Sequence, residues 1–137
     1  MCLKKLLQIK PKLNPSGVIP IDLMSSILLD KLEEIGDDAE LYLPDTNCKV
    51  YNKADVVKFL QLDEISSIPY LPEVMDCDDF AAKAYGKGLS LVWTNVHALN
   101  YFVDEAETLW FVEPQTDNIA PNLYNWQGWE IRFFLGR

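Results

Sequence analysis

The chain has few of the side chains on which metal and redox sites depend. Among its 137 residues there is one histidine, His97, and there are three cysteines, Cys2, Cys48 and Cys77. The cysteines are odd in number, widely separated and never spaced C-x-x-C, so neither a disulfide framework nor a structural zinc site is expected. No cofactor is predicted to be required.

Basic residues and long apolar runs are also scarce. The 12 Lys and Arg residues face 21 Asp and Glu residues, and the net charge of −9 repels phosphate backbones and anionic lipid headgroups. Nucleic acid and membrane partners are therefore not expected. No apolar run approaches the roughly 20 residues of a membrane-spanning helix, and the apolar start of the chain breaks at Gln8, Lys10 and Pro11 before a secretory signal is complete. The predicted location is cytoplasmic.

The length and the 49% of hydrophobic residues fit a single globular domain over residues 1–137. Residues 1–20 are rich in proline and predict an extended arm. Residues 21–62 predict a helix, a hairpin of two short strands and a second helix, and residues 76–137 predict a third helix followed by a sheet. The predicted fold class is α+β, with N-terminal helices packed on a C-terminal antiparallel β-sheet.

One stretch carries candidate chemistry, the sequence Asp-Cys-Asp-Asp-Phe at residues 76–80. Asp76 is a good N-cap, which places Cys77 at the first position of a helix. A helix N-terminus lowers the pKa of a thiol, whereas the carboxylates of Asp78 and Asp79 raise it if they lie close. Cys77 is therefore either a reactive thiol or a buried cysteine of a first helical turn.

His97 is the one imidazole available to such a thiol. The residues after the motif predict two antiparallel strands, the first with His97 and Tyr101 on one face and the second with Glu113 near its end. A register that pairs Tyr101 with the second strand brings His97 opposite Glu113 or Gln115. A nucleophilic cysteine needs a base that a third group orients, so Cys77, His97 and Glu113 predict a triad. The alternative is a structural histidine on a strand.

Three motifs in the last 60 or so residues resemble those of the papain-like cysteine peptidases. They are Asp-Cys-Asp-Asp-Phe-Ala at 76–81, His-Ala-Leu-Asn-Tyr at 97–101 and Glu-Pro-Gln-Thr at 113–116. The resemblance is strongest to a small group that includes the C-terminal domain of a mushroom agglutinin and short bacterial and phage proteins. It implies a papain-like fold and a thiol hydrolase that cleaves a peptide or amide bond in a peptide or protein substrate.

The resemblance also implies roles for single residues. Cys77 would be the nucleophile, His97 the base and Glu113 the orienting residue. The glutamine that papain-like enzymes place a few residues before the cysteine is missing, and Tyr70 lies in that neighbourhood. The oxyanion donors would then be the Cys77 backbone N–H with a side chain of the site. The residues expected to line the site or stabilise the oxyanion are Gln115, Asn95, Trp93 and Tyr70.

Several alternatives stay open at this point. The same triad serves transglutaminases and deamidases, and a catalytically inactive binding or structural module, such as an accessory protein of a phage or mobile element, would keep the fold. Trp126 and Trp129 either line a groove near the site or belong to the edge of the core. The agglutinin relative implies a calcium site, for which the candidate ligands are Asp76, Asp78, Asp79 and Asp117; these carboxylates could equally cap helices and face solvent.

Overall fold

A computed structural model describes residues 12–122 and 129–137 of the chain. Three helices, a 3-10 turn at Ile65–Ser67 and eight strands make up this part of the molecule. The helices are α1 (Ile21–Ile35), α2 (Lys53–Leu62) and α3 (Cys77–Lys87). The strands are β1 (Gly17–Pro20), β2 (Glu40–Tyr42), β3 (Asn47–Val50), β4 (Ser90–Thr94), β5 (Ala98–Val103), β6 (Leu109–Glu113), β7 (Asn118–Ala120) and β8 (Ile131–Leu135).

The strands form two sheets. Six of them lie in the order β2-β8-β4-β5-β6-β7, and β1 pairs with β3 in a separate two-stranded sheet. Within the large sheet the pair of β2 and β8 is parallel and the other pairs are antiparallel. No helix within residues 12–122 and 129–137 has both the length and the apolar character needed to cross a membrane.

The core lies on both faces of the large sheet. On one face α1 buries Met24, Leu28 and Leu32 against residues such as Tyr101 and Phe134. On the other face α2 and α3 pack against residues that alternate with these along the same strands. All six residues of β5 are consequently buried, as is usual for a strand covered on both sides.

The predicted fold class is wrong in its sheet. It placed a purely antiparallel sheet in the C-terminal part of the chain, whereas strands begin at Gly17 and one pairing is parallel. The predicted arm contributes β1, and the two strands of the predicted hairpin do not pair with each other. The reason is that each of them finds a distant partner, β8 for β2 and β1 for β3, and the sequence does not reveal which distant strand will be available.

Helix α3 begins where the sequence places it. Asp76 and Asp79 form a capping box at its start, in which each side chain accepts a backbone N–H of the other residue. Gly86 does not end the helix, which continues to Lys87 before Gly88 ends it with a φ of 131°. The predicted N-terminus is confirmed, and Gly88 marks the C-terminus.

The two glycines predict opposite effects on stability. Gly86 is helical and nothing lies within 4 Å of an added Cβ, so Gly86→Ala should raise the free energy of unfolding by about 0.5 kcal/mol by restricting the unfolded chain. Gly88→Ala should lower it by about 1 kcal/mol or more, because the φ is positive and the new Cβ would lie 3.3 Å from the Leu13 carbonyl oxygen. Urea unfolding of both variants checks the pair, and a loss of stability in Gly86→Ala would contradict the first expectation.

Candidate functional site

His97 and Glu113 are in direct contact. His97 Nε2 lies 2.5 Å from Glu113 Oε2, and both side chains are 14% exposed. The register of β5 and β6, which sets Tyr101 opposite Phe111, places Glu113 diagonally across from His97. The predicted contact between these two side chains is present.

A tight turn before β5 fixes the backbone of His97. The Thr94 hydroxyl accepts the backbone N–H of His97 at 2.9 Å and that of Val96 at 3.2 Å, and it also donates to the His97 carbonyl at 2.9 Å. The Trp129 ring packs on the imidazole with the ring centroids 5.0 Å apart. The position of the imidazole is thus fixed by the backbone hydrogen bonds of the turn, by the contact of Nε2 with Glu113 and by packing against Trp129.

Glu113 is itself held in place. Its Oε1 accepts the backbone N–H of Gln115 at 3.2 Å, while Oε2 faces the imidazole. A carboxylate against Nε2 favours the ring tautomer with the proton on that nitrogen, which leaves Nδ1 as a hydrogen-bond acceptor. His97, oriented by Glu113, can therefore offer a ligand one hydrogen-bond acceptor, the lone pair of Nδ1.

Cys77 occupies the first position of α3 and is half-buried. Its side chain packs against a small apolar cluster of Ala81, Leu91 and Ala98. Within the part of the chain that the structure describes, the thiol forms no hydrogen bond, to His97 or to any other residue. The structure therefore brings together two members of the predicted triad and places the third beside Ala98, the neighbour of His97, without a hydrogen bond between them.

Of the other predicted site residues, Gln115 is bound to Glu113 through its backbone N–H, and Tyr70 and Asn95 lie in loops. Gln115 is half-buried after β6, and Tyr70 is 53% exposed in the turn that precedes α3. The Asn95 side chain accepts the backbone N–H of Glu130 at 2.9 Å, so it ties its loop to the segment before β8. Trp126, the first of the two tryptophans of the predicted groove, lies outside the described residues.

The acidic cluster at the start of α3 consists of Asp76, Asp78 and Asp79, whose carboxylate oxygens lie within 4.8 Å of one another. The capping box accounts for two of the three. Asp117, the fourth calcium candidate, accepts the Ser66 hydroxyl at 2.8 Å and is not part of the cluster. Calcium binding at these aspartates stays a prediction, and helix capping explains most of their arrangement without a metal.

The crowding of these carboxylates predicts that the stability of the folded chain depends on pH. A hydrogen bond shared with Asp78, reinforced by burial and by Asp79, raises the pKa of Asp76 from 3.8 to about 6. The folded chain therefore holds a proton that the unfolded chain releases, and this contribution to stability is present below about pH 4 and lost as the pH rises through 6. Asp78→Asn should flatten that loss, as measured by urea unfolding between pH 4 and pH 7. Asp38→Asn, outside the cluster, is the control. If the free energy of unfolding changes with pH equally in the two variants, the expectation is wrong.

A group of aromatic side chains that the sequence does not reveal lies on neighbouring strands of the large sheet. Trp93 stacks on Phe133, with centroids 5.8 Å apart and planes 14° apart, and Tyr42 meets the same ring edge-on at 5.8 Å. Trp93 is 37% exposed and Tyr42 48% exposed. We call these three residues the aromatic patch. The only sequence signal for it is the alternation of side chains within each strand, because β2, β4 and β8 lie far apart in the chain.

The aromatic patch has polar neighbours and borders the start of α3. The Tyr42 hydroxyl donates to the Glu40 carboxylate, and this contact raises the pKa of Tyr42. Phe133 packs against the same apolar cluster that Cys77 contacts. Ring faces, a fixed hydroxyl and a carboxylate thus share one side of the sheet near its β2 edge.

No family model matches the chain, and no curated protein sequence matches it. Its fold is similar to those of solved structures, among them the following two. One is a complex of PSL1a with E64, at a TM-score of 0.68 and 24% identity over 82% of this chain and 47% of that one. The other is Polyporus squamosus lectin bound to the human-type influenza-binding epitope Neu5Acα2-6Galβ1-4GlcNAc, at a TM-score of 0.66 and 23% identity over 83% of this chain and 48% of that one. The chain therefore spans about half the length of the structures it resembles.

These comparisons correct the predicted family and function. Neither structure is named as a papain-like peptidase, and one is named as a lectin with a bound glycan, a partner of a different kind from the predicted peptide or protein substrate. The assignments to the papain-like fold, to a thiol protease or hydrolase with a catalytic triad, and to its transglutaminase and deamidase variants are therefore withdrawn. The alternative of a binding module agrees better with the comparisons.

Proposed function

We propose that this chain is a carbohydrate-binding module whose ligand lies on the aromatic patch. The observation that carries the proposal is the mutual packing of two exposed rings, those of Tyr42 and Trp93, on the half-buried ring of Phe133. Binding sites combine apolar and aromatic surface with a few fixed polar groups that set orientation. A sugar offers C–H faces for the rings and hydroxyl groups for the carboxylate. The similarity of the fold to a lectin supports the same function.

The geometry of the aromatic patch suits a sugar ring together with an adjacent, linked sugar. Trp93 and Phe133 lie nearly parallel, and Tyr42 stands almost perpendicular to Phe133 with an interplanar angle of 80°. The open face of Trp93 can take the apolar side of a sugar ring. The Glu40 carboxylate, already oriented by Tyr42, can accept hydrogen bonds from sugar hydroxyls.

Charge favours a neutral glycan. The chain carries a net charge of −9, and Glu40 places a negative charge beside the rings. Like charges oppose the approach of an anionic ligand. Galβ1-4GlcNAc should therefore bind at least as tightly as the sialylated trisaccharide Neu5Acα2-6Galβ1-4GlcNAc, and the difference should shrink at high salt.

The test is a calorimetric titration of the chain with these two glycans. Trp93→Ala should weaken binding of Galβ1-4GlcNAc by about tenfold or more, since a central aromatic anchor contributes on the order of 2 kcal/mol. Leu29→Ala, which removes a 52% exposed side chain from α1, is the control and should leave the affinity unchanged. The absence of binding by the wild type, or equal affinities of the two variants, would overturn the proposal.

Cys77, His97 and Glu113 form a second proposed ligand site on the same module. Its support is the oriented Nδ1 of His97, the thiol of Cys77 beside Ala98 and the complex of the similar PSL1a with E64. The probe is E64, with intact-mass spectrometry and calorimetry of the wild type, Cys77→Ser and Glu113→Gln. We expect binding that both substitutions weaken, and unchanged binding in both variants would exclude the site. Turnover of a fluorogenic peptide that Cys77→Ser abolishes would overturn the assignment as a module that only binds.

A further inference from the structure

A cavity of about 660 Å³ lies between the 3-10 turn and the last two turns of α3. None of the residues of the two proposed sites lines it. Its size is within the roughly 300–1,000 Å³ that small-molecule sites occupy. The lining residues are Glu64, Ile65, Ser67, Ile68, Pro69, Lys83, Gly86 and Lys87.

Two lysines stand on one side of this cavity. Lys83 and Lys87 are four residues apart on α3, so they lie on the same face of the helix. Lys87 is held in place, because its ammonium group lies 2.5 Å from the buried Asp63 carboxylate. Lys83 is exposed, and no ion pair or hydrogen bond of its side chain is found among the described residues. Two ammonium groups at one cavity are unusual in a chain with 12 basic and 21 acidic residues.

The opposite side of the cavity is apolar. Ile65, Ile68 and Pro69 line it, and Ile65 is buried. The Ser67 hydroxyl adds one neutral polar group. Glu64 lies at the same cavity and contributes a negative charge, which disfavours a ligand with more than one anionic group.

We propose that this cavity binds a small amphipathic acid, a molecule with one carboxylate and an apolar body. The carboxylate would lie beside the Lys83 ammonium group, which has no partner among the described residues, and would gain a charge-assisted hydrogen bond there, with Lys87 next to it on the same helix face. The apolar body would cover Ile65, Ile68 and Pro69 and leave water. This cavity shares no lining residue with the aromatic patch or with the site at Cys77, so binding of the acid does not depend on carbohydrate binding.

The ligand chemistry is tested with octanoate and with 1-octanol, which has the same chain length without the charge. Titrations followed by ¹H–¹⁵N correlation spectra should show octanoate shifting the amides of residues 64–69 and 83–87, with an affinity about tenfold higher than that of octanol. Added salt should reduce this difference. Equal affinities of the two probes, or octanoate shifts confined to other parts of the chain, would overturn the proposal.

Two substitutions test the location. Lys83→Met keeps most of the apolar stem and should weaken octanoate binding about tenfold with little effect on octanol, whereas Lys58→Met on α2, outside this cavity, should change neither. Gly86→Phe places a ring at the cavity where nothing lies within 4 Å of an added Cβ, and it should block both probes while the helical circular dichroism is retained. Unchanged octanoate binding in Lys83→Met, or in folded Gly86→Phe, would contradict the assignment of the site.

Discussion

Replacing Asn100 with aspartate is expected to destabilise the chain by more than about 3 kcal/mol. Asn100 is fully buried in β5, and its Nδ2 donates to the Ala81 carbonyl of α3 at 3.0 Å and to the Ser90 carbonyl of β4 at 3.1 Å. Aspartate removes both donors and sets a buried negative charge against two carbonyl oxygens. The amide therefore joins the helix that begins at Cys77 to β5, the strand that directly follows His97.

Urea unfolding at pH 7 measures this effect. Asn47→Asp makes the same chemical change at an exposed position and should alter the free energy of unfolding by less than about 0.5 kcal/mol. Lowering the pH should restore part of the stability of Asn100→Asp, since a protonated carboxyl can donate one hydrogen bond. Near-equal stabilities of the two variants at pH 7 would show that the amide does not hold α3 to the sheet.

Replacing Lys87 with methionine is expected to cost about 2 kcal/mol of stability. The Asp63 side chain is 3% exposed and Lys87 is its ionic partner at 2.5 Å. Asp63 also accepts the backbone N–H of Ile65 at 2.8 Å, so it cannot turn towards solvent without releasing the 3-10 turn. Removal of Lys87 leaves a buried carboxylate without its cation. The 34% exposure of Lys87 keeps the expected loss below that of a fully buried pair.

The neighbouring lysine supplies the matched control. Lys83→Met removes the same charge from the same helix face, but no described contact depends on it, so we expect a change within about 0.5 kcal/mol. Adding Asp63→Asn to Lys87→Met should recover most of the loss, because asparagine keeps the acceptor for Ile65 and removes the buried charge. Failure of the double variant to recover stability would mean that Lys87 acts through packing and not through the ion pair.

Local patterns in the sequence are sufficient to predict the parts of the site whose residues lie close together in the chain. The start of α3 follows from Asp76 and Asp79, whose side chains cap the helix within one turn. Side-chain alternation along β5 and β6, which a short turn joins, places His97 near Glu113 or Gln115, and the structure shows the contact with Glu113. In both cases the interacting residues are close in the chain, so few arrangements compete.

Contacts between segments that are distant in the chain cannot be predicted from such local patterns. The aromatic patch depends on β8 lying between β2 and β4, and no residue type in those strands specifies that order. The predicted hairpin of β2 and β3 is wrong for the same reason, since the backbone groups of short strands pair equally well with any available edge. The motifs around Cys77 led to a papain-like peptidase, and the similarity of the fold to the structures of PSL1a and of Polyporus squamosus lectin corrected this assignment.

The sequence by itself determined the start of α3, the hairpin of β5 and β6, and the position of His97 within reach of Glu113 or Gln115. Tertiary structure alone decided the order of the strands, the burial of Asp63 and Asn100, the assembly of Tyr42, Trp93 and Phe133, and the cavity beside Lys83. The physical reason is the range of the interactions. Capping and side-chain alternation act within a turn or between adjacent strands, whereas burial and strand order depend on how the whole chain minimises its exposed apolar surface.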